Sequence, residues 1–517
     1  VLHLAGLVAM ARGDPVTAQR RLERAVSLRR EPGLLVDLAA AMIANGKPAE
    51  AVRCCKQVLA SEPLRAEAHY NLGTALHRMR SYEEAAASLR EALRLNPEFL
   101  PARVNLGLSL RGLGEYRAAR EQLEQVLATK ADDPEVLMYC GIVSQDQADF
   151  ATALGYYERA LALKPESIEI LGNLGNAYRD MGDFPRADRT FARVLELAPG
   201  YAAGRSDYAH ALLARGEFAR GWELYESRWE AEGWPDRAAY TQPPWNGEPL
   251  AGKRLLVWGE QGIGDQIMFA SMVPEVLAQA AACCLTCEPR LAEIFTRSFP
   301  AARVVAQGSA EPSTLAGQHF DYQVPMGSLG RHLRRDFGDF PQLRGYLHAD
   351  PAKTRAWAQR LAALGPGRKI GISWRGGFVG TRRHLRSIDL QEWTPILTVP
   401  DARFVSLQYT ECAAEREALR ARHGIALHHW QQAIDDYDET AALVGALDLV
   451  ISVCTALVHL AGALGRPAWV LVPAIPEWRY MRQGDRMPWY SSVTLIRQQR
   501  IGAWGEVIAD VAARLRG

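Results

Sequence analysis

The chain has 517 residues, 48% of them apolar and 23% charged, with a formal net charge of +1. That length exceeds a single hydrophobic core and implies two or three domains. The near-neutral balance gives no reason to expect nucleic acid or an anionic membrane as partner, and no apolar run approaches the roughly 20 residues of a membrane span. Eight cysteines are present. Cys284 and Cys287 stand C-x-x-C, but no second pair or histidine cluster accompanies them. A zinc site is therefore not expected, and reduced thiols in a cytoplasmic protein fit the pattern.

The chain begins at Val1 inside a helical pattern, so its natural start is expected to lie upstream. From there to about Trp229 it repeats itself. Gly73, Gly107, Gly141 and Gly175 recur with Ala85, Ala119, Ala153 and Ala187 twelve residues after each, and Pro63, Pro97, Pro165 and Pro199 close units. A period of about 34 with paired helical patterns resembles tetratricopeptide repeats, about seven units over 1–229. Small residues let the two helices of a unit approach, and proline stops the second. Such stacks form an extended concave face suited to a protein or peptide, with a rigid spacer or an oligomerisation surface as the plainer reading. Asn71, Asn105, Asn173 and Asn176 fall on first helices, where they face either a bound backbone or solvent.

Residues 230–253 carry Gly, Pro and Trp without helical period and read as a linker or docking segment. Arg254–Trp258 is a short buried strand, and Gly259, Gly262 and Gly264 after it permit a tight turn and a close approach to a ligand. Asp265 opens the following helix. The glycine spacing is not the dinucleotide fingerprint, and no acidic residue ends a clear second strand, which argues against NAD.

A second α/β series begins near Pro366. Lys369–Trp374 is a strand ending in a loop that carries Arg375, Arg382, Arg383, His384 and Arg386. Ligands of open α/β sheets gather at that edge, and arginine suits phosphate, although a solvated loop would look the same. Phe404–Leu407 is a strand and Asp436–Leu447 a helix. The run from Leu447 to Ile451 is a strand feeding a helix that starts near Thr455, places His459 one turn later and ends at Gly465. The amides of that helix start favour a diphosphate, while an ordinary strand–helix–strand unit with a buried histidine is the simpler alternative. Trp469–Val472 begins another strand. Glu477, Trp478, Arg479, Trp489 and Tyr490 form either a cleft loop or a cover over a lobe junction.

The segments GIGDQIMFA, RRHLRSIDLQEW, DLVISVCTALVHLAGALGRPAWVLVP, PEWRY and PWYSSVTLIRQ together resemble GT-B glycosyltransferases related to the bacterial lipopolysaccharide heptosyltransferases. Joined to the repeats, the whole chain resembles bacterial tetratricopeptide-repeat glycosyltransferases, including those that modify flagellin. The resemblance implies an all-α repeat superhelix followed by two Rossmann-like lobes, an acceptor lobe at 254–365 and a donor lobe at 366–517.

It further implies an inverting transfer from a nucleotide-sugar to a Ser or Thr hydroxyl of a protein such as flagellin. Asp265 matches the general base, Thr455 and His459 the residues that meet the donor diphosphate, and Arg386 and Ser387 a frequent Arg-Ser pair. Gly262, Gly264 and Arg375 would complete the donor side. Cys454 departs from the family, which commonly has Asp there, and a thiol supplies neither the charge nor the acceptor strength of a carboxylate. No D-x-D-like site stands near the donor loops, so transfer without a metal or other cofactor is expected. Two rival readings are a transferase for a lipid-linked or polysaccharide acceptor, and a repeat scaffold whose transferase half has decayed.

Overall fold

The computed structural model describes residues 1–230, 240–308, 315, 317–377 and 381–517. Part of the linker reading (231–239) and part of the basic loop (378–380) lie outside the described residues. The chain forms two compact units, Val1–Ala177 and Tyr178–Gly517.

The first unit is a stack of helix pairs, from Leu2–Ala11 with Pro15–Leu28 to Pro134–Asp146 with Phe150–Leu163. Its core is narrow because the recurring small residues bring helices together. A Cβ on Gly73 would stand 2.5 Å from Leu89 Cγ and 3.1 Å from the Ala85 carbonyl, and one on Gly107 would stand 2.9 Å from Leu123 Cγ. Ala85 and Ala119 are fully buried on the partner helices. The glycine–alanine register is thus a helix-packing register. Proline opens several helices at their first turn, where its missing N–H leaves no bond unmade.

The second unit carries Phe184–Leu197 and the last repeat pair, Ala202–Leu213 with Phe218–Tyr225, and then two sheets. The first sheet has strands β1 (Arg254–Trp258), β2 (Ala282–Cys287), β3 (Ala302–Ala306) and β4 (Tyr322–Pro325), all parallel in the order β3-β2-β1-β4. Leu255 stands opposite both Cys283 and Tyr322. The second sheet has β5 (Arg368–Ser373), β6 (Ala402–Ser406), β7 (His428–His429), β8 (Leu449–Val453), β9 (Ala468–Val472), β10 (Arg486–Met487) and β11 (Tyr490–Arg497). Its order is β10-β11-β9-β8-β5-β6-β7, parallel except for β10 against β11. Two parallel sheets with helical crossovers bear out the α/β class expected for this half, as the stacked pairs do for the repeats.

Strand β8 begins two residues later than its apolar run. Leu447 still closes the preceding helix through its N–H to Val444, and the Asp448 N–H pairs with Lys369. All five residues of β8 are buried, as a central parallel strand requires. An aromatic cluster of Trp222, Tyr225, Phe269, Trp478 and Trp489, with rings 5.4–6.4 Å apart, joins the last repeat helix to both sheets.

Candidate functional site

In open parallel sheets a ligand crevice forms where strand order reverses, outside the carboxyl ends. The reversals fall at β1, flanked by β2 and β4, and between β5 and β8. The loops leaving β1, β5 and β8 carry the segments that the sequence analysis singled out. They border one cavity of about 590 Å³, whose walls include Asp265, Arg386, Thr455, His459, Glu477 and Arg479.

The β1 loop turns sharply at Gln261 (φ 62°) into the helix Ile263–Phe269, with Gly262 at its N-cap. Gly264 fits against the helix Ala456–Ala463, because a Cβ there would stand 3.2 Å from Ala456 Cα and from His459 Cδ2. The two strand-to-helix turns therefore touch. Glu260, just before, is buried and accepts from Arg228 Nε (2.9 Å) and Nη2 (2.7 Å) and from the Gly327 N–H (2.8 Å). This pair ties the segment after the last repeat helix to the first sheet, and nothing in the local sequence pattern marked it.

Asp265 lies at the cavity wall, where Arg479 Nε (3.0 Å) and Nη2 both donate to the same carboxylate oxygen. Arg479 Nη1 donates to Glu477 (2.8 Å), whose other oxygen pairs with Arg386. Burial opposes the charge of Arg479, but Asp265 and Glu477 more than offset it and raise the guanidinium's pKa.

On the facing side Thr455 is the N-cap of Ala456–Ala463, yet no side chain caps that helix. The Thr455 and Ser452 hydroxyls lie 3.2 Å apart, and Thr455, Ala456 and Leu457 line the cavity. The first-turn amides thus open on it. A Cβ on Gly376 would collide with Thr455, so the loop leaving β5 packs on this turn only because it carries glycine there. The Cys454 thiol is buried, which pushes its pKa up to about 12, so it is a neutral group at the cavity wall.

His459 is 3% exposed, with Nδ1 3.1 Å from the Tyr490 hydroxyl. Tyr346, whose ring stacks with that of Tyr490, donates to the Ile267 carbonyl (2.6 Å). Burial, with Arg479 adding to it, lowers the His459 pKa to about 3. At neutral pH His459 is an uncharged ring.

The remaining residues fall elsewhere. Arg375 turns from the cavity to Glu415 (2.9 Å) and the Glu411 carbonyl (2.7 Å). The Ser387 hydroxyl is buried without a partner among the described residues. Trp478 and Trp489 belong to the aromatic cluster, and Tyr490 stands behind His459. Arg383 and His384 are exposed, whereas Arg382 pairs with Asp180 at 2.5 Å. In the repeats, Asn71 donates to the Val36 carbonyl (3.0 Å), Asn105 to Thr74 Oγ1 (2.8 Å) and Asn173 to the Glu169 carbonyl of its own helix (2.9 Å). Asn176 is half-buried. The amides of Asn71 and Asn105 join neighbouring helices of the stack. Among the described residues no group of three or more His, Cys, Asp or Glu is placed to hold a metal ion, and no helix is long and apolar enough to cross a membrane.

The fold and site define a tetratricopeptide-repeat array followed by an α/β region with a cavity at its strand ends. Tetratricopeptide-repeat family models match residues 1–24, 36–98, 76–139, 145–196 and 173–236. The chain is similar to Protein FlbA of Caulobacter vibrioides, 35% identical over 326 residues that cover 60% of this chain and 54% of that protein. It thus spans about half the length of this curated relative. Among solved structures it is similar to MamA of Desulfovibrio magneticus (25% identity, 33% of this chain and 96% of that one, TM-score 0.31). A tetratricopeptide repeat protein of Parabacteroides merdae is similar at 18% identity, over 46% of this chain and 94% of that one, with TM-score 0.40.

Proposed function

We propose that the chain is an inverting GT-B glycosyltransferase, transferring a sugar from a nucleotide-sugar to a Ser or Thr hydroxyl of a protein held by the repeats, flagellin being the first candidate. The observation that carries the reading is that Asp265 and His459, from different sheets, border one cavity at the strand-order reversals. The domain limits follow the sequence reading: repeats to 229, a linker to 253, an acceptor lobe to 365 and a donor lobe beyond.

The uncapped helix start at Thr455 and the Arg386 guanidinium receive the diphosphate, whose leaving group gains charge during transfer. Leu407, Tyr409, Ile434 and Tyr437, on the wall next to them, provide an apolar and aromatic seat for the base. His459, an uncharged ring, brings no positive charge to the diphosphate and suits a hydrogen bond with the donor as a neutral group. Asp265 takes the proton of the attacking hydroxyl while its oxygen bonds the anomeric carbon. The bond from that carbon to the diphosphate then breaks, and the electron pair leaves with the diphosphate. The neutral Cys454 removes a negative charge from beside the diphosphate, which eases binding of an anion. The same substitution is what favours the decayed-scaffold reading.

UDP-, GDP-, ADP- and CMP-sugars are expected to separate by thermal shift, one class raising the unfolding midpoint by mass action. Co-expression with flagellin should then add the mass of that sugar to it. A chain stabilised by none of them would end the transferase reading in favour of the scaffold.

A further inference from the structure

Asp265 is already paired in this structure. Both N–H groups that Arg479 turns to it meet one carboxylate oxygen, so an incoming hydroxyl finds that oxygen occupied. The pair belongs to a row of alternating charge, Asp265, Arg479, Glu477 and Arg386, in which two carboxylates face two guanidiniums. All four line the cavity. A diphosphate entering it brings negative charge to a balanced row, and of the four groups in that row the two guanidiniums are the ones that can meet it. Arg479 is carried on the short turn Trp478–Tyr480, fixed by Trp478 against Trp222 and Trp489. Its side chain can therefore change partner while the backbone stays in place.

We infer that Arg479 exchanges partners in each turnover: it holds Asp265 while the site is empty and moves to the diphosphate when the donor arrives, which frees the carboxylate as proton acceptor. The inference rests on the proposed reading of the cavity as a nucleoside-diphosphate site. Arg479 is then a positioning residue for Asp265 and a binding residue for the donor. The order of events follows: the base is released only when there is a sugar to transfer. Once the hydroxyl oxygen has bonded the anomeric carbon and given its proton to Asp265, the departing diphosphate carries the electron pair and remains on Arg479. Its exit returns Arg479 to the ionised carboxylate after the proton is lost to water.

The exchange makes Asp265 a competitor of the ligand, and a double-mutant cycle on the full chain tests this. UDP, GDP, ADP and CDP are titrated by calorimetry into the wild type, Asp265→Asn, Arg479→Gln and the double variant. Asp265→Asn is expected to bind the preferred nucleotide about five- to tenfold more tightly, the scale on which contacting charged groups couple. Arg479→Gln binds it more weakly, and the double variant no more tightly than Arg479→Gln. Unchanged or weaker binding by Asp265→Asn overturns the inference. Equal tightening with and without Arg479 overturns it too, because that is plain charge repulsion between Asp265 and the nucleotide. Binding by no nucleotide removes the reading of the site, and this inference with it. Asp265→Ser and Arg479→Met repeat the cycle should either first variant fail to fold.

Discussion

The turn after β1 and the turn after β8 are built alike. Each leaves a buried parallel strand where strand order reverses, and each opens a short helix whose first residues border the cavity. Their side chains differ in kind. The first turn places two carboxylates, Glu260 and Asp265, each matched by an arginine from another element. The second places a thiol and an imidazole that are both neutral, the imidazole set against the Tyr490 hydroxyl. Charge near a cavity calls for a paired cation. Neutral groups need no counter-ion, only burial that keeps them uncharged.

The contrast can be broken at three points. Glu260→Ala leaves Arg228, 1% exposed, without its main carboxylate. The expected loss is about 3–5 kcal/mol of stability, the range for removing one partner of a buried ion pair, read by denaturant unfolding. Asp265→Asn keeps the shape of the turn and removes its proton acceptor. Transfer is expected to fall about a hundredfold, or about 2.7 kcal/mol, with the fold intact, and an unchanged rate would take Asp265 out of the base role.

The smallest effect belongs to the neutral turn. Burial holds the His459 pKa near 3, below the 6.5 of a free ring, so the unfolded state binds the proton first as pH falls. The stability tied to the neutral ring is complete above about pH 6.5 and declines from there toward pH 3, by about 2 kcal/mol between pH 6.5 and 5. His459→Phe should flatten that part of the pH–stability curve. A curve of the same slope would mean that the ring is already charged in the folded protein.

Much of this architecture was legible in the chain. The glycine–alanine register read as helix packing because a repeat imposes the same contact at each unit, and Gly73 and Gly107 make it. Arg254–Trp258 read as a strand to the residue, because a parallel strand buried on both faces is a plain apolar run. The boundary at β8 slipped by two residues because Leu447 closes a helix before the strand starts. In the site, Asp265, Thr455, Arg386 and His459 were marked by their place after strands. Arg479 was marked only as part of a loop, Glu260 and Arg228 not at all, and Arg375 points to Glu415 although its position in the basic loop resembles that of Arg386.

Sequence by itself determined the two classes of structure and the loops where ligands collect, because both follow from local periodicity and from where strands end. Tertiary structure alone decided which charges meet. Asp265 and Arg479 lie 214 positions apart and Glu260 and Arg228 lie 32 apart, so no local pattern links them. The neutral state of His459 was decided in the same way, since it follows from burial that only the packing of distant segments provides.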